Sequence, residues 1–139
     1  MFFEDISFIA VLGGAIASTI VGFIWYAPWF LGKPWMREMG YTPESLTQKK
    51  AEGMARTYAL SFLSSILTSY AIAIVMNSIF VSGLAGFALV GLVLSIGFVV
   101  AVKFNDRLFS NDSWTLFVIN AGYQVAAIVA AAIVIGILG

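Results

Sequence analysis

The sequence predicts an all-α integral membrane protein, a bundle of four transmembrane helices with both termini on the non-cytoplasmic side. Three observations lead there. Hydrophobic residues make up 61% of the 139 residues and charged residues 10%, with a mean hydropathy of +1.00. A soluble domain has about 45–50% apolar and about 25% charged residues, so lipid is the expected solvent. The apolar residues are gathered into four long runs free of Asp, Glu, Lys and Arg. Finally, all seven Lys and Arg residues fall in two of the connections between these runs.

The four runs cover about residues 6–27, 58–80, 84–102 and 114–138, each near the roughly 20 residues a helix needs to cross a bilayer. They imply one membrane domain over residues 1–139. The first run follows Met-Phe-Phe-Glu-Asp, an acidic leader where a secretory signal has a positive one, so it reads as a retained helix. The connection between runs one and two holds Lys33, Arg37, Lys49, Lys50 and Arg56. That between runs three and four holds Lys103 and Arg107. The short loop around Ser82 and the tails hold none, and the positive-inside rule then makes the basic face cytoplasmic. The implied location is a cell membrane, crossed several times (the cytoplasmic membrane in a bacterium).

The connection at residues 28–57 is the only long one. Thr42 suits an N-cap, Pro43 the first helical position and Glu44 the positive end of the dipole. A short helix on the cytoplasmic surface is expected from Pro43, with Gly53 as a place to bend. The connection begins with FIWYAPWFLGKPW, residues 23–35. Trp and Tyr favour the membrane–water boundary and Lys snorkels to it. Pro28 and Pro34 each disfavour helix at the residue before them. Trp25, Tyr26, Pro28, Gly32, Lys33 and Trp35 therefore read as an interfacial turn. Two alternatives stay open: a wedge that closes one mouth of a cavity, or a lipid headgroup site at Lys33 and Trp35.

IWYAPWFLGKPWM resembles the tryptophan–proline–glycine–lysine–tryptophan signature of an uncharacterised family of bacterial and fungal membrane proteins, domain of unknown function 1761. LFSNDSWTLFVINAGYQV, with Asn-Ala-Gly-Tyr inside the last run, is similar to a second block of the same family. The resemblance implies a four-helix membrane protein and supplies no activity.

Within the runs, small residues recur every four positions, on one side of a helix. Ala10, Gly14, Ser18 and Gly22 form a packing stripe on the first, expected to support self-association. The second carries Ser61, Ser65, Ser69, Ala73 and Asn77, with Ser64 and Thr68 adjoining. At about 1.5 Å per residue, Ser18, Ser69, Ser95 and Gln124 fall at similar depth. With Ser65, Asn120 and Tyr123 they define an expected intramembrane polar layer. That layer is either glue between helices or the lining of a neutral conduit or shallow cavity, and in both cases Gln124 needs a partner.

The chemistry is narrowed by what the sequence lacks. It has no cysteine and no histidine, which removes thiolate chemistry and the commonest base and metal ligand. No acidic residue lies inside a run, whereas proton-coupled transporters depend on one. Zero net charge gives no footprint for nucleic acid. Asp106 and Asp112 are expected to be structural, Asp112 capping the last helix alone or with Ser113, and Asp106 pairing with Arg107 or Lys103. No catalytic, cofactor-binding or metal-binding residue is expected. The leading expectation is a non-enzymatic module that forms homo-oligomers or binds a partner in the bilayer. The alternatives are a small channel or carrier for a neutral or weakly charged solute and, more distantly, a lipid-handling protein.

Overall fold

A computed structural model describes residues 6–42, 44–45, 48, 54–110 and 113–139. Among them, four helices are long and apolar enough to cross a membrane. These are α1 (Phe8–Trp25), α3 (Ala55–Ser78), α4 (Gly83–Phe109) and α5 (Trp114–Leu138), with a short α2 (Lys33–Met39) after α1.

The ends of these helices follow from local chemistry. Ser7 caps α1, its Oγ accepting from Ala10 N–H at 3.2 Å. Ser113 caps α5 by accepting from Leu116 N–H at 3.0 Å. Ser113 therefore fills the capping role expected at this end, and Asp112 lies outside the described residues. Thr42 and Ser45 bond reciprocally: Ser45 N–H donates to Thr42 Oγ1 at 3.0 Å, and Thr42 N–H to Ser45 Oγ at 2.8 Å. This is a capping box with serine in the usual Glu position. Glu44 and Ser45 are helical, while Pro43, Lys49, Lys50 and Gly53 lie outside the described residues. The third spanning helix runs seven residues beyond the expected end at Val102, because Lys103, Asp106 and Arg107 end the apolar run without ending the helix.

The stretch after α1 is more helical than its two prolines suggest. Ala27 is extended, as a residue before proline should be. Pro28–Gly32 then forms one π-helical turn, closed by Gly32 N–H on the Ala27 carbonyl at 2.9 Å. Lys33 stays helical in spite of Pro34, because Pro34 sits in the first turn of α2, where its missing N–H leaves no bond unmade. Gly32 is buried at the fold-back, and a Cβ there would run into the Tyr26 carbonyl oxygen and the Ala27 backbone. α2 ends at Gly40, φ 78°, with Tyr41 N–H on the Met36 carbonyl at 2.9 Å, a Schellman closure.

α5 is the central helix. From Leu116 to Gly136 only Val118 is exposed, and α1, α3 and α4 all pack on it. The core joins Ile6, Ala10 and Val11 to Ile72, Ala73, Ile128, Ala131, Ala132 and Ile135. Small residues set the spacing. A Cβ on Gly91 would come within 2.8 Å of the Val129 backbone, so α4 and α5 nearly touch there. Gly136 receives the Phe87 ring, Gly122 the Trp25 indole and Gly22 the Tyr123 ring.

The stripe on α1 is filled from within the chain. Ala10, Gly14 and Ser18 are buried, Gly14 lies against Ser69 Oγ and Ile135, and Gly22 against Tyr123. The stripe expected to support self-association is thus spent on α3 and α5, whose own small residues let them come close enough to fill it. Gly14→Leu is accordingly expected to overpack this seam. It should cost about 1–3 kcal/mol or more, read as a lower unfolding temperature in detergent with no new smaller species on size exclusion.

Candidate functional site

Two features stand out: an aromatic clamp at one end of the bundle and a polar groove beside it. The clamp grows from the last turn of α1. Trp25 Nε1–H donates to the Ile119 carbonyl at 2.9 Å, and the Tyr26 hydroxyl donates to Asn120 Oδ1 at 2.6 Å. The Tyr26 ring meets Tyr123 edge-on at 5.3 Å and Trp35 at 5.7 Å, and Trp35 meets Tyr41 at 5.6 Å. The π-turn carries Phe30 back to within 5.4 Å of Trp25. Pro28 and Lys33 are exposed, and Trp29 is 75% exposed. Of the interfacial residues expected from sequence, then, Trp25, Tyr26 and Trp35 hold helices together. Gly32 allows the fold-back, and Pro28 and Lys33 face outward.

The two motif blocks that stand far apart in sequence therefore meet in space, Trp25 and Tyr26 gripping the stretch from Ile119 to Tyr123. A family model described as Protein of unknown function (DUF1761) matches residues 9–136. The chain belongs to that family. The match takes in both blocks and all four spanning helices. No curated protein and no solved structure matches the chain.

The groove, of about 140 Å³, lies between α1, α3 and α5. Five residues of the expected polar layer line it: Ser18, Ser65, Ser69, Tyr123 and Gln124. Tyr123 belongs to the clamp as well, so the clamp bounds one end of the groove. Ser95 does not join the layer. It is fully buried on α4, its Oγ donating to the Leu92 carbonyl at 3.2 Å, and α4 packs on α5 without substantial contact to α1 or α3. Asn120 is turned towards Tyr26 and a second cavity near Lys103. Depth alone grouped these residues; the side of α5 on which each helix packs separates them.

Ser61, Ser64 and Thr68 complete the groove wall and were legible only as part of a packing stripe. The signal was present in the five hydroxyls between positions 61 and 69, too many for a helix seam alone. Three of the groove hydroxyls are satisfied locally or across the seam. Ser69 donates to the Val11 carbonyl at 2.7 Å, Ser18 to Ala15 at 2.9 Å and Ser65 to Ser61 at 3.2 Å. The Gln124 amide faces the groove and forms no side-chain hydrogen bond among the described residues. No described residue supplies the partner expected for it.

At the far end of α4, the expected pairing of Asp106 with Arg107 or Lys103 is absent among the described residues. Arg107 instead donates to the Ser110 carbonyl at 3.3 Å and lies 4.2 Å over the Trp114 ring, while Asp106 is exposed. The aromatic face and the turn carbonyl compete with the carboxylate and hold the guanidinium away from it.

The clamp's polar link can be measured. In a double-mutant cycle of Tyr26→Phe and Asn120→Ala, unfolding in mixed micelles should give a coupling of about 0.6–1.7 kcal/mol, the range for side-chain bonds between membrane helices.

Proposed function

We propose that the chain is a non-enzymatic membrane module with both termini on the non-cytoplasmic side, and that it works as a homo-oligomer. The observation that carries this reading is the side opening of the polar groove. Ser61, Ser64 and Thr68 are exposed at the level where a bilayer would place acyl chains, and the Gln124 amide lacks a partner among the described residues. Hydrocarbon cannot hydrogen-bond to them, so a second copy covering this face lowers the free energy of both. The absence of histidine and cysteine from the sequence supports a role without catalysis.

Ser64→Leu tests the reading, since it blocks the open side without touching the filled seam at Gly14. The wild type should run as a defined oligomer in nanodiscs, and the variant should be smaller by light scattering with its unfolding temperature kept. A wild type that is monomeric in both detergent and nanodiscs removes the oligomer. The orientation has its own test. A cysteine at Ser82 should label from outside intact cells and one at the exposed Met39 should not; labelling of both from one side overturns it.

A second reading rests on the same groove. A cavity of about 140 Å³ lined by hydroxyls, a phenol and an amide holds several waters. A channel or carrier for a neutral solute would use it. Gln124→Leu should then abolish solute flux into liposomes while leaving the oligomer intact.

A further inference from the structure

The end of α4 holds a cavity of about 170 Å³, lined by Lys103, Asp106 and Arg107 of α4 and by Leu116, Phe117 and Asn120 of α5. It lies at the same end as Tyr26, which reaches Asn120, and Lys103 is the first charged residue after the apolar part of α4. Three rings are grouped beside it. Phe104 and Trp114 are 5.9 Å apart, Phe104 and Phe117 6.0 Å, and Trp114 and Phe117 5.9 Å.

The donors are in surplus. Arg107 lies over Trp114 with one N–H on the Ser110 carbonyl, and its Nε–H is buried with no hydrogen-bond partner among the described residues. A buried guanidinium N–H left unmet is costly, which marks a place where an acceptor is wanted. Lys103, one turn earlier, is half-buried and forms no ion pair among the described residues. Asn120 spends its Oδ1 on Tyr26, which leaves its Nδ2 hydrogens to donate. Against these stands one carboxylate among the described residues lining the cavity, Asp106, which is exposed. Two cations and one anion leave a net positive charge, and the arginine fork matches phosphate oxygens. A water occupies about 30 Å³ of liquid, so the space suits a phosphate and the first atoms attached to it.

We propose that this cavity binds a phosphate ester, with Arg107 and Lys103 as its cationic partners and Asn120 as an amide donor. The ester comes either from an anionic phospholipid headgroup or from a free phosphate compound, and one experiment separates the two. The protein is placed in phosphatidylcholine nanodiscs carrying increasing phosphatidylglycerol, and bound lipid is counted by native mass spectrometry. Parallel samples receive sn-glycerol 3-phosphate instead.

The expected result is saturable binding, weakened about tenfold or more by Arg107→Gln and also weakened by Lys103→Gln. Lys33→Gln, which alters an exposed cation outside the cavity, should change it less than twofold. Asp106→Asn should tighten binding, an outcome that loss of structure cannot imitate. Binding of the lipid without the glycerol phosphate assigns the site to a headgroup, and comparable binding of both assigns it to the phosphate alone. Unchanged binding in Arg107→Gln, an equal loss in Lys33→Gln, or no gain in Asp106→Asn overturns the proposal.

Discussion

The close approach of α5 to its three neighbours is the constraint on which the rest of the molecule depends. In a bilayer, apolar side chains gain little by leaving lipid for protein, so helices hold together through dispersion at short range and through hydrogen bonds. Ala131 and Ala132 of α5, Ala10 and Gly14 of α1 and Gly91 of α4 keep those distances short. Once the backbones are that close, Ser69 reaches the Val11 carbonyl and Trp25 the Ile119 carbonyl. Neither bond would form across a seam of leucines.

The same economy explains the aromatic clamp. Gly22 lies against Tyr123 and Gly122 against Trp25, so each helix offers a bare backbone to the other's ring. The fold-back at Gly32 then brings Phe30 onto Trp25 and Trp35 onto Tyr26. The tryptophans act here as packing and hydrogen-bonding groups as much as residents of an interface. Trp29, left facing outward, is the exception.

The helical class was legible in the sequence because the length of an apolar run reports bilayer thickness directly. The end of α4 was not, since hydropathy registers where lipid would stop and not where the backbone ladder stops. A cap at the start of α5 and the N-cap at Thr42 are legible because a cap's partner lies three residues away. The grip of Tyr26 on Asn120 spans ninety-four positions and leaves no local trace. The polar layer was half legible. Spacing placed Ser18, Ser69, Ser95 and Gln124 at one depth, but only the packing order around α5 separates Ser95 from the other three. The stripe on α1 makes a related point: a small-residue stripe does not say which helix fills it, and here α3 and α5 do.

The π-turn at Ser95–Val100 has a consequence for the phase of α4. Its inward-facing residues are Gly91, Ser95, Val99, Lys103 and Arg107, spaced by fours throughout. An uninterrupted α-helix turns about 100° per residue, so sixteen residues would carry Arg107 about 160° round from Gly91, to the opposite side. One extra residue taken up in a wide turn removes about 100° of that drift. The cationic end of α4 thereby stays over α5, beneath the same face that packs on it at Gly91. Closing that turn into regular α-helix with every residue kept would swing Lys103 and Arg107 about 100° off their partner, whereas deleting one residue between positions 95 and 100 would remove the turn and keep their phase.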